Sequence, residues 1–196
     1  MNEEDRLYLN SQPDGKTVLY TRSLEIRELV RKNAGSLMRI LSECPDGSVM
    51  LPEYAGFQPL PADVPEAEKD KIPETAIERL GVLIASDMTD QYRFFGYGLW
   101  GVFLRGEHIG LAMLKNGPDS GVCEIGYAIL EEYRRKGFMT EAMLAVLEYA
   151  RTCGFTKAVT VISEHNPGSQ AFWNNLKKSY RPESSYNDVD SFSLTL

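Results

Sequence analysis

Residues 99–115 read LWGVFLRGEHIGLAMLK, two β-rich runs joined at a glycine, and this hairpin limits the fold more than any other stretch. Trp100, Val102 and Leu104 share one face of the first run, and Ile109, Leu111 and Met113 answer from the second. Gly106-Glu107 suits a two-residue turn with glycine first. A third strand, VCEIGYAIL at 122–130, follows the turn signals of NGPDSG. Hairpin strands followed by a helical crossover require a mixed sheet, because only the crossover can return a strand parallel to its neighbour.

The flanking segments supply the layers. TVLYTRSLEIREL (17–29) reads as strand, after a PDG turn signal at 13–15. A helix is expected over about 32–43, with Ala34, Leu37, Met38 and Leu41 on one face. Six of the ten prolines fall in 45–73. Proline lacks a backbone donor and restricts the residue before it, so this is an irregular excursion. A second helix fits 74–92, with Ile77, Leu80, Ile84 and Met88 in register. Beyond residue 137, Ala142, Val146, Ala150 and Cys153 form a helical stripe, widened by Met143, Leu147 and Tyr149 and stopped at Gly154. KAVTVIS (157–163) reads as a short strand. NPGSQAFWNNL opens another helix, with Asn166 as N-cap and Pro167 in the first helical position. DSFSLTL (190–196) alternates as a terminal strand. The expected architecture is one α/β domain over 1–196, a mixed, mostly antiparallel central sheet with helices on both faces.

Composition excludes several classes. A chain of 196 residues buries enough surface to fold without disulfides or a structural metal. Three separated cysteines with no CxxC, and two separated histidines, predict no metal site. No apolar run approaches the ~20 residues needed to span a bilayer. The acidic opening MNEEDRLYLN lacks the apolar centre of a secretory signal, so a cytoplasmic protein with reduced thiols is expected. A net charge of −7 argues against nucleic acid as a partner. That charge is uneven: residues 1–133 carry −9 and residues 134–196 carry +2. GYGLWG (Gly96, Gly98, Gly101) matches G-x-G-x-x-G, but a β-patterned run follows it where a dinucleotide fingerprint needs a helix.

The segment with the most chemistry is EIGYAILEEYRRKGFMTEA (124–142). A strand runs into a loop with three consecutive cations, Arg134, Arg135 and Lys136, then Gly137 and a helix start. A helix N-terminus exposes unpaired N–H groups and partial positive charge. Gly137 lets backbone approach an anion closely, and the cations add charge-assisted contacts. A phosphate or pyrophosphate site is therefore expected here.

YRRKGFMTEA resembles the acyl-CoA loop of the GNAT superfamily of N-acetyltransferases, whose pattern is Q/R-x-x-G-x-G/A. Arg134 and Gly137 match, while Met139 stands where Gly or Ala is usual. The chain resembles the ribosomal-protein N-terminal acetyltransferase branch, which tolerates Met there. LEIREL is similar to its first strand, GYGLWGVFLRGEHIG to its second and third, CEIGYAI to its fourth, and NPGSQAFW to its later Asn-containing helix start. The resemblance covers most of residues 19–176 and implies acetyl-CoA as cosubstrate and a splayed acyl-CoA site. The pyrophosphate would sit on the loop from Arg134 through Arg135, Lys136, Gly137, Phe138, Met139 and Thr140. The pantetheine arm would pair with the main chain of Tyr127, Ala128 and Ile129, and Asn166 would contact the same arm besides capping its helix.

The implied reaction is attack of a neutral amine on a thioester, so a base is needed. Candidates are Glu124 on the fourth strand and Glu164, with His165, before the Asn166 helix. One branch has a Glu five residues before this Asn, where Val161 stands here. Another uses a strand glutamate where Cys123 stands, so Glu124 is one residue out of phase unless a bulge rephases it. Its structural alternative is a sheet-face residue paired with a nearby base. The family's usual acid, a Tyr seven residues after the Asn, is replaced by Trp173, which can donate a hydrogen bond but not a proton. Trp173 also reads as a core aromatic.

The leading reading is an acetyl-CoA-dependent N-acetyltransferase acting on a primary amine. Residues 45–79 carry a balance of −5, which suits a cationic acceptor and an acceptor-side lid. Protein N-termini, polyamines, aminoglycosides and small metabolites all stay open, as does a homodimer. Two other readings are a non-catalytic acyl-CoA-binding or sensing module and an interaction protein that retains only the fold.

Overall fold

A computed structural model describes residues 8–11, 17–44, 81, 84, 89–117, 119–180 and 193–196. Eight strands form one sheet in sequential order: β1 (Tyr8–Ser11), β2 (Thr17–Tyr20), β3 (Leu24–Glu28), β4 (Leu99–Leu104), β5 (Glu107–Asn116), β6 (Val122–Ile129), β7 (Lys157–Val159) and β8 (Ser193–Thr195). Every neighbouring pair is antiparallel except β6 and β7, which are parallel. The described helices of more than one turn are α1 (Ala34–Glu43), α2 (Thr89–Phe95), α3 (Phe138–Thr152) and α4 (Pro167–Tyr180). The expected mixed, mostly antiparallel α/β sheet is what forms.

The hairpin register differs from the sequence reading. Leu111 pairs with Gly101 and Met113 with Leu99, so neither shares a face with Trp100 or Val102. Ile109 is an extra residue between the pairs Val102–Gly110 and Phe103–His108, a β-bulge in β5. The turn is Arg105-Gly106, both at positive φ (50° and 85°), so the hairpin closes one residue earlier than Gly106-Glu107. Both strands are buried on both faces, so apolar alternation carries little information about facing.

Those faces take different helices. Trp100 meets Tyr149 of α3 edge-on at 5.6 Å. Phe103, on the opposite face, stacks on His108, whose Nδ1 is 2.7 Å from Ser36 Oγ of α1. The sheet is therefore covered on both sides.

Other expectations change in detail. Residues 17–29 form two strands, β2 and β3, turned back at Thr21–Ser23, and β1 adds an edge that was not expected. The excursion 45–73 lies outside the described residues, as does most of the expected helix 74–92; Ile84 is fully buried, and α2 ends at Phe95. Cys153 is exposed and leaves the α3 stripe, because it is the residue at which that helix ends. Phe155 N–H donates to Ala150 O and Gly154 N–H to Arg151 O, a Schellman closure around Gly154 at φ 90°. The expected strand 157–163 is ordered as strand only to Val159.

Candidate functional site

That shortening of β7 opens the site. β6 pairs with β7 only from Val122 to Glu124, then continues to Ile129 with β5 as its sole strand partner among the described residues. In an antiparallel ladder every second residue turns its N–H and C=O away from its partner. The far edge of Ile125–Ile129 therefore presents the main-chain groups of alternate residues, Ile125 and Tyr127, while Ala128 turns its own toward β5 and Ile129 O already accepts Arg134 Nε at 3.3 Å.

Across the gap stands the first half of α4. Tyr127 packs on Phe172 with ring centroids 4.5 Å apart, and its O–H donates to Ser169 O at 3.3 Å. Burial pushes the phenol up to about 12, so it stays a donor. Sequence reasoning assigned Tyr127 a main-chain role and missed this bridge; the aromatic pair is 45 positions apart along the chain.

The loop after β6 is built to leave donors open. Residues 131–133 make one 3₁₀ turn, and Arg134 N–H donates to Glu131 O at 3.1 Å. Arg135 then takes φ 59° and Gly137 φ 86°, and α3 starts with no side-chain cap. The first amide of α3 with a helical acceptor is Glu141, donating to Gly137 O at 3.0 Å. The N–H groups of residues 135–140 have no backbone acceptor among the described residues. A Cβ built on Gly137 meets nothing within 4 Å, so the space over these donors is clear.

Side chains around the loop point in different directions. Arg135 and Lys136 are exposed, with Lys136 Nζ 5.5 Å from the Tyr133 ring centre. Met139 is buried, and a Cβ on Gly110 would lie 3.2 Å from its Cε. Its bulk thus turns into the core over a glycine, which explains how Met fits where Gly or Ala is usual. Phe138 is half-buried against Tyr133. Arg134 turns back from the open donors: Nε donates to Ile129 O at 3.3 Å and Nη2 to Glu43 O at 3.0 Å. Thr140 is half-buried in the first turn.

The structure separates the two candidate bases. Glu124 is the last β6 residue paired with β7, at the point where the strands part. No bulge rephases it: β6 runs in unbroken register with β5, so Glu124 faces away from Cys123 and Tyr127. Its carboxylate pairs with Lys115 Nζ at 3.0 Å. Glu164 lies in the turn before α4, 87% exposed, 3.5 Å from His165 Nε2. Asn166 caps α4, its Oδ1 accepting Ser169 N–H at 2.9 Å. Trp173 is fully buried, a core residue of α4. Burial pushes the Cys123 thiol up to about 12, which removes it as a thiolate nucleophile. Among the described residues no three His, Cys, Asp or Glu side chains gather as a metal site, and no helix is long and apolar enough to cross a membrane.

Comparison with known proteins fits this geometry. The family model described as acetyltransferase (GNAT) domain matches residues 24–177. No curated protein sequence matches. Among solved structures, an acetyltransferase from Agrobacterium tumefaciens str. C58 is 20% identical, with 97% of each chain covered and a TM-score of 0.57. RimL, a ribosomal L7/L12 α-N-protein acetyltransferase in complex with coenzyme A, is 17% identical over 89% of this chain and 92% of its own, TM-score 0.54. The PaiA N-acetyltransferase from Thermoplasma acidophilum, also in complex with coenzyme A, is 16% identical over 89% and 99%, TM-score 0.54.

Proposed function

Because the chain belongs to the GNAT acetyltransferase family, we propose that it transfers the acetyl group of acetyl-CoA to a primary amine, with the pyrophosphate on residues 135–140 and the pantetheine arm along residues 127–129. The observation that carries this reading is the run of open N–H groups at the start of α3, after a strand whose outer edge has no strand partner beyond Glu124 among the described residues. Acetyl-CoA supplies an activated carbonyl and a thiolate leaving group.

The chain's own residues do the rest. Open amides and the N-terminal dipole of α3 hold the anion, and Arg135 and Lys136 add screened attraction. The free edge of β6 takes amide groups of an extended arm as a further strand would. Tyr127 holds the start of α4 across the groove, and Asn166 fixes the turn that faces the arm. An amine with an ordinary pKa near 10 must lose a proton before attack. We assign that proton to Glu124 acting through water: it sits where β6 and β7 part, but it is paired with Lys115 on the face opposite Tyr127, whereas Glu164 extends into solvent. No side-chain acid is needed for the sulfur: a thiol pKa near 8.5 makes thiolate a tolerable leaving group, so a buried Trp173 is compatible with turnover. The acidic run at 45–79 favours a cationic amine. Free thiols at Cys44, Cys123 and Cys153 support a cytoplasmic setting.

An amine panel read by release of free CoA thiol from acetyl-CoA tests the activity and names the acceptor. Release with no amine above the acceptor-free rate, under conditions where acetyl-CoA binds, sinks the transferase reading. Glu124→Gln should lower kcat by about 10²–10⁴-fold with acetyl-CoA affinity kept. Glu164→Gln should stay within about threefold; the reverse pattern moves the base to the turn before α4.

A further inference from the structure

Most of the cofactor loop's support comes from α1, on the other side of a long sequence interval. Glu43, the last residue of α1, accepts Glu131 N–H through Oε2 at 3.1 Å. Its own carbonyl accepts Arg134 Nη2 at 3.0 Å, while Arg134 Nε reaches Ile129 O. Arg39, one turn earlier, holds Glu43 Oε1 at 3.2 Å and Glu132 Oε1 at 2.7 Å. Glu43 and Glu131 are 88 positions apart in the chain. These bonds grip the end of β6, the 3₁₀ turn and the residue that precedes the open donors.

We infer that Arg39, Glu43 and Arg134 form a clasp that positions the cofactor loop, with Arg134 acting as a holder of backbone and not as a phosphate ligand. The inference rests on the reading of residues 135–140 as the pyrophosphate site. Residues 135–140 can converge on one anion only if residue 134 enters the turn at a set angle, and two of the clasp's bonds end on backbone groups just before that residue, Glu131 N–H and Ile129 O, while a third ties the Arg134 side chain to Glu43 O. Two backbone carbonyls, Ile129 O and Glu43 O, take Nε and Nη2 of the Arg134 guanidinium. Held in this way, the loop keeps Arg135 in its left-handed conformation without a glycine there. Charge alone predicts the opposite role for Glu43. A carboxylate near an anion site should repel the ligand, so its removal should tighten binding. If Glu43 positions the loop, its removal weakens binding instead.

The test is titration of acetyl-CoA into the wild type, Glu43→Ala, Glu43→Gln, Arg134→Ala and Glu43→Ala/Arg134→Ala, at two salt concentrations, with melting of each apo protein. Positioning predicts a rise in Kd of roughly tenfold for Glu43→Ala, substantial rescue by Glu43→Gln, which keeps an acceptor for Glu131 N–H, and a double variant well short of the product of the singles. The salt slope for Arg134→Ala should match the wild type, because no phosphate contact is lost. Tighter binding in Glu43→Ala overturns the clasp in favour of simple repulsion. A lower melting temperature with unchanged Kd overturns it in favour of a purely structural role. A flatter salt slope in Arg134→Ala with multiplicative singles makes Arg134 a phosphate ligand. A wild type that binds no acetyl-CoA removes the cofactor reading, and the clasp with it, and is told apart by the wild-type titration alone.

Discussion

The two helices that flank the splay begin in opposite ways. α3 starts on Gly137 in a left-handed conformation, with no side chain over its first amides. α4 starts on Asn166, which takes Ser169 N–H, followed by Pro167, which has no N–H to satisfy; Gln170 N–H then donates to Asn166 O. Both carry the partial positive charge of a helix start. Of the two, α3 alone keeps consecutive donors without an acceptor among the described residues, which is why the proposed anion site is placed there, while α4 begins on a side-chain cap. A dipole is common to every helix; what separates a site from a terminus is whether local residues have already consumed the amides.

The strongest way to break this contrast is Gly137→Asp. A side chain at φ 86° strains the turn, and its carboxylate occupies the clear space over the donors and repels a phosphate. Acetyl-CoA should raise the melting temperature of the wild type by mass action, and the variant should lose that rise, a weakening of about a hundredfold or more. An undiminished rise would place the anion elsewhere and dissolve the difference between the two starts.

A third site, apart from both starts, sets an acid response of its own. His108 is buried against Ser36 and Phe103; burial, with Arg27 nearby, lowers it from the ordinary 6.5 to about 4. Between those values the unfolded chain binds the extra proton. The stability that neutral His108 contributes is therefore complete above about pH 6.5 and lost as pH falls toward 4, about 2 kcal/mol by pH 5 and about 3 at the limit. His108→Gln should flatten denaturant-measured stability over that range while leaving acetyl-CoA affinity at neutral pH alone. An unchanged acid profile in this variant would show that another group titrates.

The smallest effect sharpens the contrast from the other side. Asn166→Ala should cost about 1 kcal/mol of stability, the usual worth of an N-cap. Its acetyl-CoA Kd should move less than about threefold. A larger loss of affinity would mean that Asn166 touches the pantetheine as well as capping α4, and that the second start is not purely structural.

Local signals were legible because their partners are close in sequence. The Asn166-Pro167 cap, the Gly154 stop and the open start at Gly137 each depend on a few neighbouring residues, and each formed as expected. The cationic loop before Gly137 raises the expectation of an anion site from residue types alone, and that expectation belongs to the proposed function. The hairpin register was not legible: a bulge at Ile109 shifted the facing of Leu111 and Met113, and strands buried on both sides carry no polar face to report it. A one-residue slip reverses every side chain, so a pattern without contrast cannot specify it.

The sequence by itself determined the order of elements from β4 onward, the glycine that frees the α3 amides, and the absence of a tyrosine where Trp173 stands. Tertiary structure decided that β7 leaves β6 after Val159, that Glu124 meets Lys115, and that Arg134 turns back to Glu43. The reason is reach. Caps and turns are settled within about one turn of chain, whereas Arg134 and Glu43 are 91 positions apart and Thr21 and Glu141 are 120 apart. Contacts at such separations exist only once the sheet has brought its strands into register, and no local pattern of residues encodes which distant carbonyl a guanidinium will find.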